Sequence, residues 1–263
     1  MCRTFLVIPA YNEGASVARL CASLQHLHAA TPLSIIFVND GSTDDTAGQL
    51  QQHREGLNIE VIEHRSNQGV PQTFYDGLAA AAARAGDEDC ICIIEADNTS
   101  DLTLIPRMRS LIGEGADLVI ASRYIPGGGY VHFPLQRVLG SRFINSILKS
   151  MVRMEGVTDY TIFYRAYRAQ HIKNALARFG RSLFTTDSFA ANLELLLKLR
   201  PGLRRVDEVP LVYDYESKKS DSKIRIVRSL REYFVLITRL MREGAANSHP
   251  VSPELAGALR KSR

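Results

Sequence analysis

Glu95 and Asp97 stand two residues apart where an apolar run, Cys90-Ile91-Cys92-Ile93-Ile94, gives way to Glu-Ala-Asp-Asn-Thr. A buried strand that turns at its end can bring two such carboxylates round to one side. Hard carboxylate oxygens suit Mg2+ or Mn2+, cations that also bind phosphate. A departing diphosphate needs its charge neutralised in that way. The acid-x-acid spacing around Ala96 is a weak signal alone. Asp40 closes a second apolar run, "LSIIFVND", and precedes Gly41-Ser42. An acid there can reach a ribose or a base edge, or serve as a turn or cap. Pro9, Tyr11 and Glu13, in "PAYNEG", sit where a base could lie, or where a chain merely turns into a helix. Arg123, in "ASRYIPGGG", puts a cation at a further strand end.

These residues need elements to hold them. Buried-type strands are expected over 4–10, 33–40, 58–64, 90–95 and 117–122. Helical spacing fills the gaps: 13–28, a helix capped by Ser42 or Thr43, 70–86 and 103–113. Strands alternating with helices of this length imply an α/β fold, a mostly parallel sheet with helices on both faces. Ligands in such sheets bind at the carboxyl ends of the strands. Glu13, Asp40, Glu95, Asp97 and Arg123 all fall at those ends.

The second half is patterned differently. Residues 135–154 form an amphipathic helix with Leu139, Phe143, Ile147 and Met151 four apart and Arg137, Arg142, Lys149 and Arg153 between them. The stretch 159–168 reads as strand or loop, 185–200 as helix, and 203–215 as a strand pair or edge strand. A long basic helix is expected over 222–243. Between Lys218 and Arg242 there are eight basic and two acidic side chains. A basic amphipathic helix can lie on an anionic bilayer or pack on the sheet with its charges in water. The tail 244–263 has the composition of a poorly ordered segment.

Composition bounds the reading. The 263 residues are 45% hydrophobic and 23% charged, ordinary for a soluble α/β protein with a substantial core. A net charge of +4 is too mild to argue for nucleic acid. Cys90-x-Cys92 lacks a second pair at zinc-site spacing, and the four cysteines read as core thiols in a reducing cytoplasm. No apolar run reaches membrane-span length, so the expected protein is soluble or peripheral.

Taken together, "VIPAYNEG", "VNDGSTDDT", Asn67-Gln68-Gly69, "EAD" and "ASRY" followed by "GGG" occur in an order and at intervals that resemble family-two glycosyltransferases of the GT-A fold. In the second half "GVTDYTIFYRAYR" is similar to the D-x-T-S-G-F-R-A-Y-R segment of dolichol- and polyprenyl-phosphate sugar synthases. "EVPLVY" followed by "SDSK" is similar to their E-V-P-I-x-F and G-x-S-K. The resemblance spans roughly residues 4–240. It implies one GT-A domain over 1–243, with a nucleotide-sugar half (1–130) and an acceptor and membrane-proximal half (131–243). It implies that Pro9, Tyr11, Glu13, Asp40, Glu95, Ala96 and Asp97 contact the nucleotide sugar, and that Glu95 and Asp97 hold Mg2+ or Mn2+. It further implies Arg123 at the donor–acceptor junction, Arg137 and Ser141 on the acceptor phosphate, and Lys223 closing over the phosphates, with Asp97, Arg123 and Arg137 carrying catalysis.

The chain departs from that pattern in several places. Glu95 replaces the usual Asp, Thr99 stands where a polar amide often assists the metal, Ile162-Phe163 replace Ser-Gly, and Ser220 replaces the Gly of G-x-S-K. The resulting expectation is an inverting transferase that moves a sugar from a GDP- or UDP-sugar to a polyprenyl phosphate at the cytoplasmic membrane face. A lipid phosphate is already an anion and needs cations rather than a base. Two alternatives stay open. A hydroxyl acceptor would require a base, for which Asp187 is the candidate, unless it caps a helix over 188–199. A non-catalytic nucleotide-sugar-binding relative would have no reason to keep Asp40, Glu95, Asp97 and Arg123.

Overall fold

The structure, a computed structural model, describes residues 2–214 and 232–239. Strands β1 (Thr4–Ala10), β2 (Leu33–Asn39), β3 (Ile59–Glu63), β4 (Cys90–Ile93), β5 (Leu118–Ser122), β7 (Arg165–Arg168) and β8 (Val206–Pro210) form one sheet in the order β3-β2-β1-β4-β7-β5-β8. All neighbours run parallel except β7, which lies antiparallel between β4 and β5. The sheet is buried on both faces, which explains the uninterrupted apolar runs of β1, β2, β4 and β5. Helices α1 (Gly14–Ala30), α2 (Thr46–His53), α3 (Val70–Arg84) and α4 (Ile105–Gly113) cross between the first strands, and α6 (Ala169–Phe179) and α7 (Ala191–Leu199) follow β7. Cys21, Cys90 and Cys92 are buried and unpaired, as core thiols.

Two short strands, β6 (Gly129–Val131) and β9 (Val212–Asp214), pair in parallel outside the main sheet, with Tyr130 directly opposite Tyr213. Helix α5 (Leu135–Val152) follows β6. It buries Ile144, Asn145, Leu148 and Val152 and leaves Leu135, Leu139 and Phe143 more than half exposed.

Some boundaries differ from the sequence expectation for local reasons. Helix α2 begins at Thr46 rather than at a Ser42 or Thr43 cap, because those two residues bond Asn39 and Asn12 across the sheet edge. Helix α7 begins at Ala191, with Ala190 at its cap, so Asp187 is not the cap of that helix. The 3-10 turn Leu102–Leu104 precedes α4, capped by Asp101 through the Thr103 amide. Of the long basic helix, only the helical segment 232–239 falls within the described residues. Lys223, Ser220 and the tail 244–263 lie outside them.

Candidate active site

Two turns are tied together at the carboxyl ends of β1 and β2. Asn12 is left-handed (φ 55°), and its side-chain oxygen accepts the Thr43 amide at 2.8 Å. Its own amide donates to Ser42 Oγ at 2.9 Å. The Glu13 amide reaches Thr46 Oγ1, and the Gly14 amide reaches Asp44. Burial would raise the Asp44 pKa, but hydrogen bonds from Thr46 and the Gly14 amide prevail and lower it. The "PAYNEG" and "NDGSTDD" motifs are therefore one cross-braced ledge, and Pro9, Tyr11 and Glu13 lie along it, each partly exposed.

Asp40 serves the turn that follows β2. It is buried, and its two oxygens accept the Gln68 and Gly69 amides at 2.8 and 2.9 Å. His64 Nδ1 lies 2.7 Å from the same carboxylate, and His64 Nε2 lies 3.1 Å from Asp76. Asp40 is thus the post that holds the loop of residues 65–69. Gly41 (φ +64°) fits because a Cβ there would strike the Ser66 backbone at 2.4 Å.

The acidic pair ends β4. Glu95 is partly exposed and Asp97 is buried. Asn98, left-handed at φ 64°, turns the chain and anchors itself on the Ser16 carbonyl at 2.9 Å. Thr99 folds back so that its amide and hydroxyl both donate to Asp97 Oδ1, at 3.1 and 2.5 Å. Thr99 thus orients Asp97. Among the described residues no group of three or more His, Cys, Asp or Glu side chains could hold a metal. Two carboxylates of this kind fit a hard dication whose other ligands come from a diphosphate.

Arg123, expected as a cation at the junction, is committed to another acid. Its Nε donates to Asp159 Oδ2 at 2.7 Å and its Nη2 to Asp159 Oδ1 at 2.8 Å. Nη2 also reaches Thr161 Oγ1 at 2.7 Å. The guanidinium lies 5.3–5.8 Å from the ring centres of Tyr124, Tyr130 and Tyr213. Burial opposes the charge of each partner, yet their attraction wins: the Arg123 pKa is raised and that of Asp159 lowered. The "EVP" motif explains the position of Asp159. Glu208 accepts the Thr158 and Asp159 amides at 2.7 and 3.1 Å, and so fixes the turn that presents Asp159. Gly128 lies so close to β5 that a Cβ would meet the Ser122 carbonyl at 2.5 Å, which is why the "GGG" turn needs a glycine there.

On α5, Arg137 and Ser141 lie one turn apart and share a face. Ser141 Oγ is 2.9 Å from Tyr124 Oη and 2.8 Å from Tyr130 Oη, and the two tyrosine hydroxyls are 2.8 Å apart. The structure thereby joins α5 to the two tyrosines whose rings border Arg123. Tyr124, Tyr130, Tyr213 and Asp159 escaped the motif reading because they gather from separate segments. Only Asp159 and Tyr124, within "VTDY" and "ASRY", carried a local signal.

A doubly wound sheet with a braced ledge after β1 and β2, an acidic pair after β4 and a basic helix beyond β5 defines a GT-A nucleotide-sugar glycosyltransferase. The model of glycosyl transferase family 2 matches residues 5–176, and the chain belongs to that family. Among its relatives, the polyprenol monophosphomannose synthase of Mycolicibacterium smegmatis is 26% identical over 85% of this chain and 83% of its own length. The undecaprenyl-phosphate mannosyltransferase of Micrococcus luteus is also 26% identical, over 84% and 87%. The undecaprenyl-phosphate 4-deoxy-4-formamido-L-arabinose transferase of Pseudomonas savastanoi is 31% identical over 89% and 64%. A crystal structure of Mycobacterium tuberculosis glucosyl-3-phosphoglycerate synthase with Mn2+, UDP and glucosyl-3-phosphoglycerate superposes with a TM-score of 0.61 at 18% identity, over 90% of this chain and 78% of that one. That likeness establishes the fold.

Proposed function

We propose that this glycosyltransferase moves a sugar from a nucleoside-diphosphate sugar to a polyprenyl phosphate, with inversion, at the cytoplasmic face of a membrane. The observation that carries the reading is the position of Ser141, one turn from Arg137 and bonded into the cluster around Arg123. This is a surface of cations and hydroxyl donors suited to a phosphate monoester. The names of the two mannose-transferring relatives support the same acceptor class. An ionised phosphate oxygen attacks the anomeric carbon directly, so the site needs alignment rather than proton abstraction. Asp159 is buried and bound to Arg123, which removes it as a base. Asp187, exposed and outside α7, is the base that a hydroxyl acceptor would need, and the relatives do not favour that reading.

The ledge of Pro9, Tyr11 and Glu13 receives the nucleotide, and Glu95 and Asp97 would hold Mg2+ or Mn2+. When bound, the cation neutralises the departing diphosphate. Among the described residues no helix is long and apolar enough to cross a membrane. The exposed Leu135, Leu139 and Phe143 of α5, beside Arg142 and Lys149, form a face suited to an anionic lipid surface. Such a face brings Arg137 and Ser141 to the depth of a lipid phosphate.

The test is product formation with a short polyprenyl phosphate, Mn2+ or Mg2+, and a panel of labelled UDP- and GDP-sugars. Label is expected in the lipid fraction and is lost in Asp97→Ala and Arg137→Ala. Donor hydrolysis or binding without lipid product would shift the assignment to a hydroxyl acceptor.

A further inference from the structure

Helix α5 carries polar side chains at intervals of four residues: Arg137, Ser141 and Asn145. The first two are the residues assigned above to the acceptor phosphate. Asn145 lies one turn beyond Ser141 and about 12 Å along the axis from Arg137. It is only 6% exposed and stands among Ile144, Leu148 and Val152 on the buried side of the helix. Asparagine is a poor helix former, and a carboxamide on an apolar face is costly unless both its ends are bonded. Here Nδ2 donates to the Thr158 carbonyl, and Oδ1 accepts the Tyr160 amide at 2.8 Å, so both ends are satisfied.

Those two partners are the chain neighbours of Asp159. The carboxamide therefore grips the backbone on either side of the acid that holds Arg123. The same helix is also bonded to the other member of that pair. Ser141 Oγ lies 2.9 Å from Tyr124 Oη, and Tyr124 directly follows Arg123. Helix α5 is thus tied to both sides of the Arg123–Asp159 ion pair, at two positions one turn apart. The 158–160 turn is itself anchored on the sheet. Glu208 of β8 accepts the Thr158 and Asp159 amides, and Arg165 of β7 donates to the Tyr160 carbonyl at 2.8 Å. The turn is the fixed reference, and α5, with its outer face exposed, takes its height from it.

We propose that Asn145 is a positioning residue for sugar transfer. Through its two bonds to the 158–160 turn it sets the height of α5, and so the distance of Arg137 and Ser141 from Arg123. This assignment rests on the acceptor proposed above and deepens it. A phosphate held between α5 and Arg123 stands in line with the anomeric carbon at one helix height only. Such alignment is sensitive to displacements of about an ångström.

The experiment compares wild type with Asn145→Ala and Asn145→Ser, and with Ile144→Ala as the control for lost packing on the same side of α5. Measured for each are kcat and KM for a short polyprenyl phosphate, the calorimetric affinity for Mn2+–UDP or Mn2+–GDP, and the melting temperature. The kinetics are run well below the lowest melting point. Asn145→Ala is expected to lower kcat/KM for the acceptor about a hundredfold and to leave the Mn2+–nucleotide affinity unchanged. Ile144→Ala is expected to melt lower and to keep its kcat/KM. Asn145→Ser, which can keep one of the two bonds, should fall between, and it carries the comparison if the alanine variant does not fold. Wild-type acceptor constants in the Asn145 variants, or an equal loss in Ile144→Ala, would overturn the assignment and leave Asn145 a packing residue. A fall in Mn2+–nucleotide affinity that matches the acceptor loss would overturn it as well. A wild-type protein that binds Mn2+–nucleotide but labels no lipid with any donor would instead refute the proposed acceptor, an outcome visible before any variant is compared.

Discussion

Arg123 and Asp159 are joined by two parallel hydrogen bonds of 2.7 and 2.8 Å, with the Asp159 side chain fully buried and that of Arg123 9% exposed. The pair ties the end of β5 to the loop before β7. Removing one partner leaves an uncompensated buried charge, at a cost of about 3–5 kcal/mol. Asp159→Ala should therefore lower the melting temperature by roughly 10 °C. Arg123→Lys, which keeps the charge but loses the fork, should cost less. Thermal denaturation followed by circular dichroism checks both, and an Asp159→Ala protein that melts with wild type would refute the role.

Glu194 is fully buried on α7 and accepts hydrogen bonds from Thr185, Thr186 and Lys198. Burial raises its pKa, but the bonds from Lys198 and Thr185 outweigh it and the net shift is downward. A depressed carboxylate contributes stability above its unfolded pKa, about 4.3, and loses it as pH falls through the folded value. The stability difference between wild type and Glu194→Gln should thus be largest near neutrality and shrink as pH drops below about 4. Urea titrations at several pH values measure it, and a gap that widens on acidification would contradict the assignment.

The exposed face of α5 gives a third prediction. Leu139→Glu and Phe143→Glu each place a charge on an exposed apolar position without touching the buried face. Both variants should lose sedimentation with vesicles containing anionic lipid, and both should keep nucleotide affinity. Vesicle binding equal to wild type would assign the face to something other than a membrane.

His64 stands between Asp40 and Asp76, with a ring nitrogen toward each. His64→Ala leaves two acids without their shared partner, beneath a loop that Asp40 holds by two amides. A loss of about 1–3 kcal/mol is expected, with weaker binding of UDP or GDP as the ledge shifts. Chemical denaturation and calorimetry read the two effects separately. Nucleotide affinity that survives unchanged would detach the 65–69 loop from the donor side.

Much of the fold was readable along the chain. Apolar runs bounded by polar turns marked β1, β2, β4 and β5 because a sheet covered on both faces demands continuous hydrophobicity. Glu95 and Asp97 stood out because an acid next to such a run is costly unless it has a task. Asp40 stood out for the same reason, and in the structure it holds the Gln68 and Gly69 amides. The stretch 159–168 reads as strand or loop, but nothing in its four strand residues, Arg165–Arg168, shows that they insert antiparallel between β4 and β5.

The sequence by itself determined the family, the order of layers and the sheet edge at which the site lies, since motif spacing and burial periodicity are local properties. Only the tertiary structure decided which partners the charged residues take. Arg123 meets Asp159 across 36 positions, and Tyr130 meets Tyr213 through a register between two three-residue strands. Contacts of that range depend on where distant elements dock. The same arginine would be a free cation at the junction or a buried anchor according to whether Glu208 brings the 158–159 turn within its reach.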